Sequence, residues 1–240
     1  MRISPVLDIL GGQVVRGVAG RRSEYRPIVS PLTTSSQPLD VAQAFRRHYG
    51  FSTLYVADLD AIAGAAPSWP LYAELRAHGF QLWVDAGVRD RARAIALAER
   101  DIEGVIVGLE TVSGPALLAE LSQALGSERI IFSLDLKGGQ PLGELAGWRS
   151  REVDAIAAQA IEVGVRRLIV LDLERVGVSA GAGTEQWCRS IARRWPEVEL
   201  IAGGGVRGPE DLERMRDWGV HAALVASALH DGRISGSARS

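Results

Sequence analysis

Six residues near the start of the chain, Asp8-Ile9-Leu10-Gly11-Gly12-Gln13, return 127 positions later as Asp135-Leu136-Lys137-Gly138-Gly139-Gln140. Three further stations follow in the same order. Ala57-Asp58-Leu59-Asp60 is matched by Leu171-Asp172-Leu173-Glu174, Gly87-Val88-Arg89 by Gly205-Val206-Arg207, and Ile106-Val107-Gly108-Leu109 by Leu224-Val225-Ala226-Ser227, at offsets of 114, 118 and 118. Four matched stations at so long a period describe a duplicated half-domain rather than a solenoid of short repeats.

Each half carries four short apolar runs separated by amphipathic stretches. Val6-Leu7, Thr53–Val56, Gln81–Val84 and Val105–Val107 read as strands in the first half; Ile130–Leu134, Leu168–Leu171, Leu200–Ala202 and Ala222–Val225 read as strands in the second. Unalternating runs rich in β-branched residues suit parallel strands covered on both faces. Val41–Tyr49, Arg91–Glu99, Val153–Val163 and Pro209–Trp218 have helical patterning, with Asp40 and Ser150 placed as N-caps and Gly50, Gly164 and Gly219 placed as C-terminal glycines. Eight strand–helix units in 240 residues predict a single α/β domain, a (β/α)8 TIM barrel, in preference to an open doubly wound sheet. Its half-barrels span about 1–125 and 126–234, with a lid or flexible loop over 11–38 and a flexible tail at 235–240.

Composition narrows the partners. A net charge of -2 offers no global attraction to nucleic acid or to an anionic membrane. No run approaches the roughly 20 apolar residues of a membrane span, and the N-terminus lacks the apolar core of a signal peptide. The single cysteine, Cys188, has no intrachain partner, which makes a reducing cytoplasm the expected compartment and packing its expected role. A monomer or small homo-oligomer acting on an anionic small molecule is the expectation.

In a barrel the C-terminal ends of strands face the active-site mouth. Asp8, Asp58, Asp135 and Asp172 all fall there, on strands one, two, five and six, and strands one and five oppose each other. Two facing carboxyls can divide proton work between base and acid. This makes Asp8 and Asp135 the candidate proton-transfer pair, with Asp172 a further candidate, while Asp58 suits either substrate binding or the orientation of a loop. Four converging carboxylates also admit a hard cation, but His48, His78, His221 and His230 map to helices, a strand start or beyond the last strand. No metal and no cofactor are expected, and the same placement argues against a histidine-activated nucleophile.

Gly203-Gly204-Gly205 with Ser227 lies after strands seven and eight, the usual phosphate-binding corner of a barrel. The first-half counterpart carries Asp85 and, after strand four, Glu110, which would repel a phosphate. The loop after strand one offers Arg16, Arg21, Arg22 and Arg26 around Tyr25, a set suited to gripping an anion and covering a planar group.

Val6–Arg16, Asp58-Leu59-Asp60, Ser133-Leu134-Asp135 with Gly147-Trp148 downstream, and Gly203–Val206 together resemble the ProFAR isomerase family of histidine biosynthesis and its cyclase relative over nearly the whole chain. The resemblance implies a duplicated half-barrel and a cofactor-independent Amadori-type aldose-to-ketose rearrangement. Asp8 matches the family's base, Asp135 its essential strand-five aspartate, and Gly147 with Trp148 its substrate-binding segment. Three positions depart from the family: Val176-Gly177 replaces an acidic Asp-Gly after strand six, Asp85 interrupts the first-half phosphate loop, and Ala226 replaces a strand-eight glycine. A bisphosphate held at both ends fits such a site poorly. Gly20–Pro27 and Tyr55–Ala61 are more similar to an isomerase-related subgroup of organisms that make methanopterin-type one-carbon cofactors, which implies a diverged paralogue.

Overall fold

A computed structural model describes residues 1–178 and 181–235. Eight parallel strands close on themselves: β1 (Arg2–Leu10), β2 (Thr53–Asp58), β3 (Gln81–Asp85), β4 (Gly104–Gly108), β5 (Ile130–Lys137), β6 (Arg167–Asp172), β7 (Glu199–Gly203) and β8 (Ala222–Val225). Each pairs with the next, and β8 returns to β1 through the register Arg2↔Ala222 to Pro5↔Val225. Helices α1 (Pro38–Tyr49), α2 (Trp69–Ala77), α3 (Arg91–Ala98), α4 (Pro115–Leu125), α5 (Val153–Glu162), α6 (Glu185–Arg194), α7 (Pro209–Asp217) and the short α8 (Ser227–His230) follow the strands in turn. The fold is the expected (β/α)8 barrel. Among the described residues no helix is long and apolar enough to cross a membrane.

The helix ends have local causes. Gly50 closes α1 in the left-handed conformation, donating its N–H to Arg46 O, and Asp90 caps α3 by accepting from the Arg93 N–H. Two expected caps fall elsewhere. Asp40 lies inside the first turn of α1, which begins at Pro38 after Gln37. Ser150 accepts from the Glu152 N–H in the preceding turn, and α5 starts one residue after Glu152. The buried Cys188 packs in α6, its thiol pushed up to about 12 by burial. The tail beyond 235 lies outside the described residues.

The repeated six-residue motif is a β-hairpin. β1 runs past Asp8 to Leu10, turns at Gly11-Gly12 and pairs antiparallel with Gln13–Arg16; β5 does the same through Gly138-Gly139 to Gln140-Pro141. Both glycines of each pair have positive φ, 57° and 76° in the first half and 58° and 78° in the second. That is the conformation a two-residue hairpin turn demands and side chains resist.

Strand alternation sorts the side chains into two layers. Tyr55, Ala57, Trp83, Ile106, Ile131, Ile169, Ile201, Ala222 and Leu224 fill the barrel interior. Their neighbours Leu54, Val56, Val84, Val107, Phe132, Val170 and Ala202 pack outward under the helices. The same parity turns Asp58 and Asp172 outward, one residue beyond the inward Ala57 and Leu171. Asp58 is fully buried and accepts from Ala61 N–H (3.1 Å), Ser68 N–H (2.9 Å) and Tyr72 Oη (2.6 Å). Asp172 accepts from the Gly138 N–H (3.1 Å), the Gly139 N–H (2.9 Å) and the Glu174 N–H (3.0 Å), holding the hairpin turn of β5. In the first half the corresponding turn is held by Asp60, which accepts from the Gly11 N–H at 2.7 Å. Asp58→Ala, which strands the buried Tyr72 hydroxyl and two amides, is expected to cost about 3 kcal/mol in urea denaturation.

Candidate active site

The interior layer opens at the C-terminal strand ends into a cavity of about 230 Å³. Asp8 and Asp135 both line it, from opposite sides of the ring. Burial pushes the Asp8 carboxyl up to about 6, against the pull of Arg22. Burial pushes Asp135 further, to about 8: Ser133 Oγ donates to it at 2.7 Å and favours its charged form, but Asp85 and Glu110 oppose that charge. At neutral pH one carboxyl of the opposed pair is thus mainly ionised and the other mainly protonated, the division a base and an acid require. Asp58 and Asp172 do not join them. Outward parity buries them behind the strands and off the cavity lining, where Asp58 orients the segment after β2, the second of its two expected roles.

On the second-half side, Gly204, Gly205 and Ser227 line the cavity, with Gly203 just beneath them. Gly204 and Gly205 have φ of 88° and 85°, and a Cβ on either would stand within 2.8 Å of a backbone oxygen, of Asp172 and Arg175 respectively. A Cβ on Gly203 would stand 2.9 Å from that of Leu224, so this residue packs inside the barrel. Glycine at both positions follows from the positive φ and from this close approach of the segment after β6.

The first-half counterpart is filled by the protein itself. Asp85 Oδ1 accepts from the Gly87 N–H at 3.0 Å, at the position equivalent to Gly205. Burial pushes Asp85 up to about 6.

The long first loop lies over the mouth. Tyr25 is 9% exposed and lines the cavity with Arg16 and Arg22. Arg16 pairs with Asp231, and Arg22 stands 3.7 Å from Glu110. The loop is fastened to the segment after β6: the Ala19 N–H donates to Val176 O at 2.8 Å, and a Cβ on Gly177 would collide with Gly17 O. A Cβ on Gly17 would stand 2.9 Å from Val176 Cγ1, 3.2 Å from Asp8 Oδ2 and 3.6 Å from the Tyr25 hydroxyl. Val176 therefore holds the first loop through its backbone carbonyl, with its Cγ1 packed close to Gly17.

Gly147 and Trp148 are not at the cavity. Trp148 is buried in the outer layer with its ring stacked on Phe132 at 5.6 Å, and Gly147 packs on the backbone of Ser113 and Gly114. Phe132 points outward by parity and holds Trp148 in the outer layer, away from the cavity where contact with substrate was expected. Sequence reasoning set His230 aside because it follows the last strand, yet α8 carries it back to the cavity wall. Its ring lies 4.8 Å from that of Phe45 with Nδ1 3.3 Å from Ser30 Oγ, and burial pushes it down to about 4, leaving it neutral. Among the described residues no group of three His, Cys, Asp or Glu side chains has the arrangement of a metal site.

Gly177→Ala tests the lid contact. With φ at 72° and no room for a Cβ, the variant is expected to loosen the lid and to raise trypsin cleavage at Arg21 or Arg22 about tenfold, read by mass spectrometry of the fragments.

The family described as Histidine biosynthesis protein matches residues 2–235. A phosphoribosyl imidazole-4-carboxamide isomerase of Thermus thermophilus is 31% identical over 244 residues, covering 98% of this chain and 96% of its own. An isomerase of the same name from Streptococcus sanguinis is 29% identical, covering 98% and 95%. An uncharacterised protein of the methanogen Methanocaldococcus jannaschii is 32% identical over 234 residues, covering 97% and 94%, and fits the isomerase-related subgroup. The chain belongs to the histidine biosynthesis protein family and is an isomerase-class enzyme within it.

Proposed function

We propose that the chain catalyses a cofactor-independent aldose-to-ketose isomerisation of a phosphorylated, sugar-like molecule. The observation that carries this reading is the opposed pair Asp8 and Asp135, held in one desolvated cavity beside the bare backbone of Gly204-Gly205. The phosphate rests on Gly204, Gly205 and Ser227. In a ribosylamine, Asp135 gives its proton to the ring oxygen as the C1–O bond breaks and the nitrogen lone pair forms C1=N. Asp8 takes the proton from C2, and the C–H electron pair forms C1=C2 while the C1=N pair returns to nitrogen. The 2-hydroxyl of this enolamine then loses its proton to Asp135 and C1 gains the proton held by Asp8, which gives the ketose and restores both carboxyls. Arg16, Arg22 and Tyr25 close the mouth and exclude water, which strengthens each charge interaction inside.

This division of labour fixes the pH profile. Activity rises as Asp8 loses its proton near pH 6 and falls as Asp135 loses its proton near pH 8, giving a bell with its maximum near neutrality. Asp8→Asn is expected to lower kcat about a thousandfold, and Asp135→Asn to do the same while removing the alkaline limb. The measurement is kcat/KM against pH on phosphorylated ribosylamines, beginning with the substrate named for the Thermus relative. An alkaline limb that persists in Asp135→Asn would assign the acid to another residue.

The substrate is proposed to differ from that of the named relatives, because Val176 anchors the lid instead of supplying an acid and Asp85 fills the first-half anion loop. The gene is expected not to rescue a histidine auxotroph lacking the isomerase; rescue would install the histidine-pathway reaction itself. A role in one-carbon cofactor synthesis, supported by the relative in a methanogen, predicts a deletion strain that makes histidine but loses its methanopterin-type cofactor. If the Asp8→Asn, Asp135→Asn double variant restores that cofactor, the barrel serves the pathway by binding alone.

A further inference from the structure

The two halves of the cavity have opposite chemistry where the duplication would make them alike. In the second half the loop after β7 presents bare backbone; in the first half Asp85 occupies the Gly87 N–H with Oδ1. Its other oxygen, Oδ2, stands 4.0 Å from where a Cβ on Gly108 would be, and Asp135 Oδ2 stands 3.1 Å from the same point. The missing side chain at Gly108 thus leaves a space bounded by two carboxyls, with Glu110 also in the wall.

A separate observation points to a ligand in this space. Tyr55 is 5% exposed, lines the cavity among Asp8, Asp85 and Asp135, and its hydroxyl has no hydrogen-bond partner among the described residues. That hydroxyl opens on the cavity, where a bound group can supply the partner the protein does not. A second phosphate placed here would meet carboxylates on two strands, and like charges at close range are strongly unfavourable. The acids are not grouped as a metal site, so the complementary occupant is an organic donor.

We propose that the first-half end of the cavity binds an amino group of a singly phosphorylated substrate, with Asp85, Glu110 and the Tyr55 hydroxyl receiving its N–H donors. This rests on the phosphate cradle of Gly204, Gly205 and Ser227 proposed above.

Titration calorimetry of the full chain at neutral pH tests it with inorganic phosphate, glucose 6-phosphate, glucosamine 6-phosphate and fructose 1,6-bisphosphate. Glucosamine 6-phosphate is expected to bind at least about tenfold more tightly than the bisphosphate. Asp85→Asn keeps an acceptor for the Gly87 N–H while removing the charge, and is expected to reduce that ratio to about threefold or less. Tyr55→Phe is expected to weaken glucosamine 6-phosphate about fivefold and leave inorganic phosphate unaffected. Equal binding of the aminosugar phosphate and the bisphosphate to the unaltered protein, or an unchanged ratio in Asp85→Asn, overturns the amino-group site alone. If Asp85→Asn does not fold, Tyr55→Phe decides, and unchanged affinity for the aminosugar overturns the site. Failure of all four probes to bind overturns the phosphate cradle and this inference with it.

Discussion

Side chains alternate along a strand, and in a closed barrel that alternation admits only every second residue to the cavity. On β1 the inward positions are Val6 and Asp8, on β3 Trp83 and Asp85, and on β5 Ile131, Ser133 and Asp135. On β2 and β6 the inward positions at the same height are Ala57 and Leu171, so Asp58 and Asp172 face the helices. Identical residue types at neighbouring positions consequently carry different chemistry. The inward carboxyls lose water and have raised proton affinities; the outward ones are saturated by backbone amides and hold turns in place.

The duplicated backbone supports an asymmetric site. The Gly-Gly hairpin is kept in both halves because its two positive φ values leave little alternative to glycine. Asp172 holds the second hairpin turn, whereas in the first half that turn is held by Asp60 and not by Asp58, the residue matched to Asp172. Across the cavity, Asp85 satisfies the first-half loop while Gly204 and Gly205 leave the second open. The two ends of the cavity therefore differ, and the first loop reaches both through the pairs Arg16–Asp231 and Arg22–Glu110.

Much of this was legible in the chain. The spaced repeats predict the eight-stranded closure, and Asp8 and Asp135, at matched positions on strands one and five, were expected to face one another. Asp58 and Asp172 end strands two and six as expected but face outward. Runs such as Tyr55-Val56-Ala57-Asp58, apolar on both faces, do not reveal which face is inward until the strand's register with its neighbour is known. The place of Trp148 was hidden for a related reason, since its partner Phe132 sits on the outer side of β5. His230 was passed over because one turn of helix after β8 folds it back beneath the lid, a return that no local pattern announces.

Local periodicity and repetition along the chain set the number of strand–helix units, their pairing into two related halves and the two aspartates at matching stations. Closure of the barrel set which carboxyls share the cavity, the contact of Val176 with the first loop, and the places of Tyr55 and His230 in the wall. Those outcomes depend on inward or outward parity, on exclusion of water and on contacts between segments far apart in the chain. They exist only once the barrel has closed.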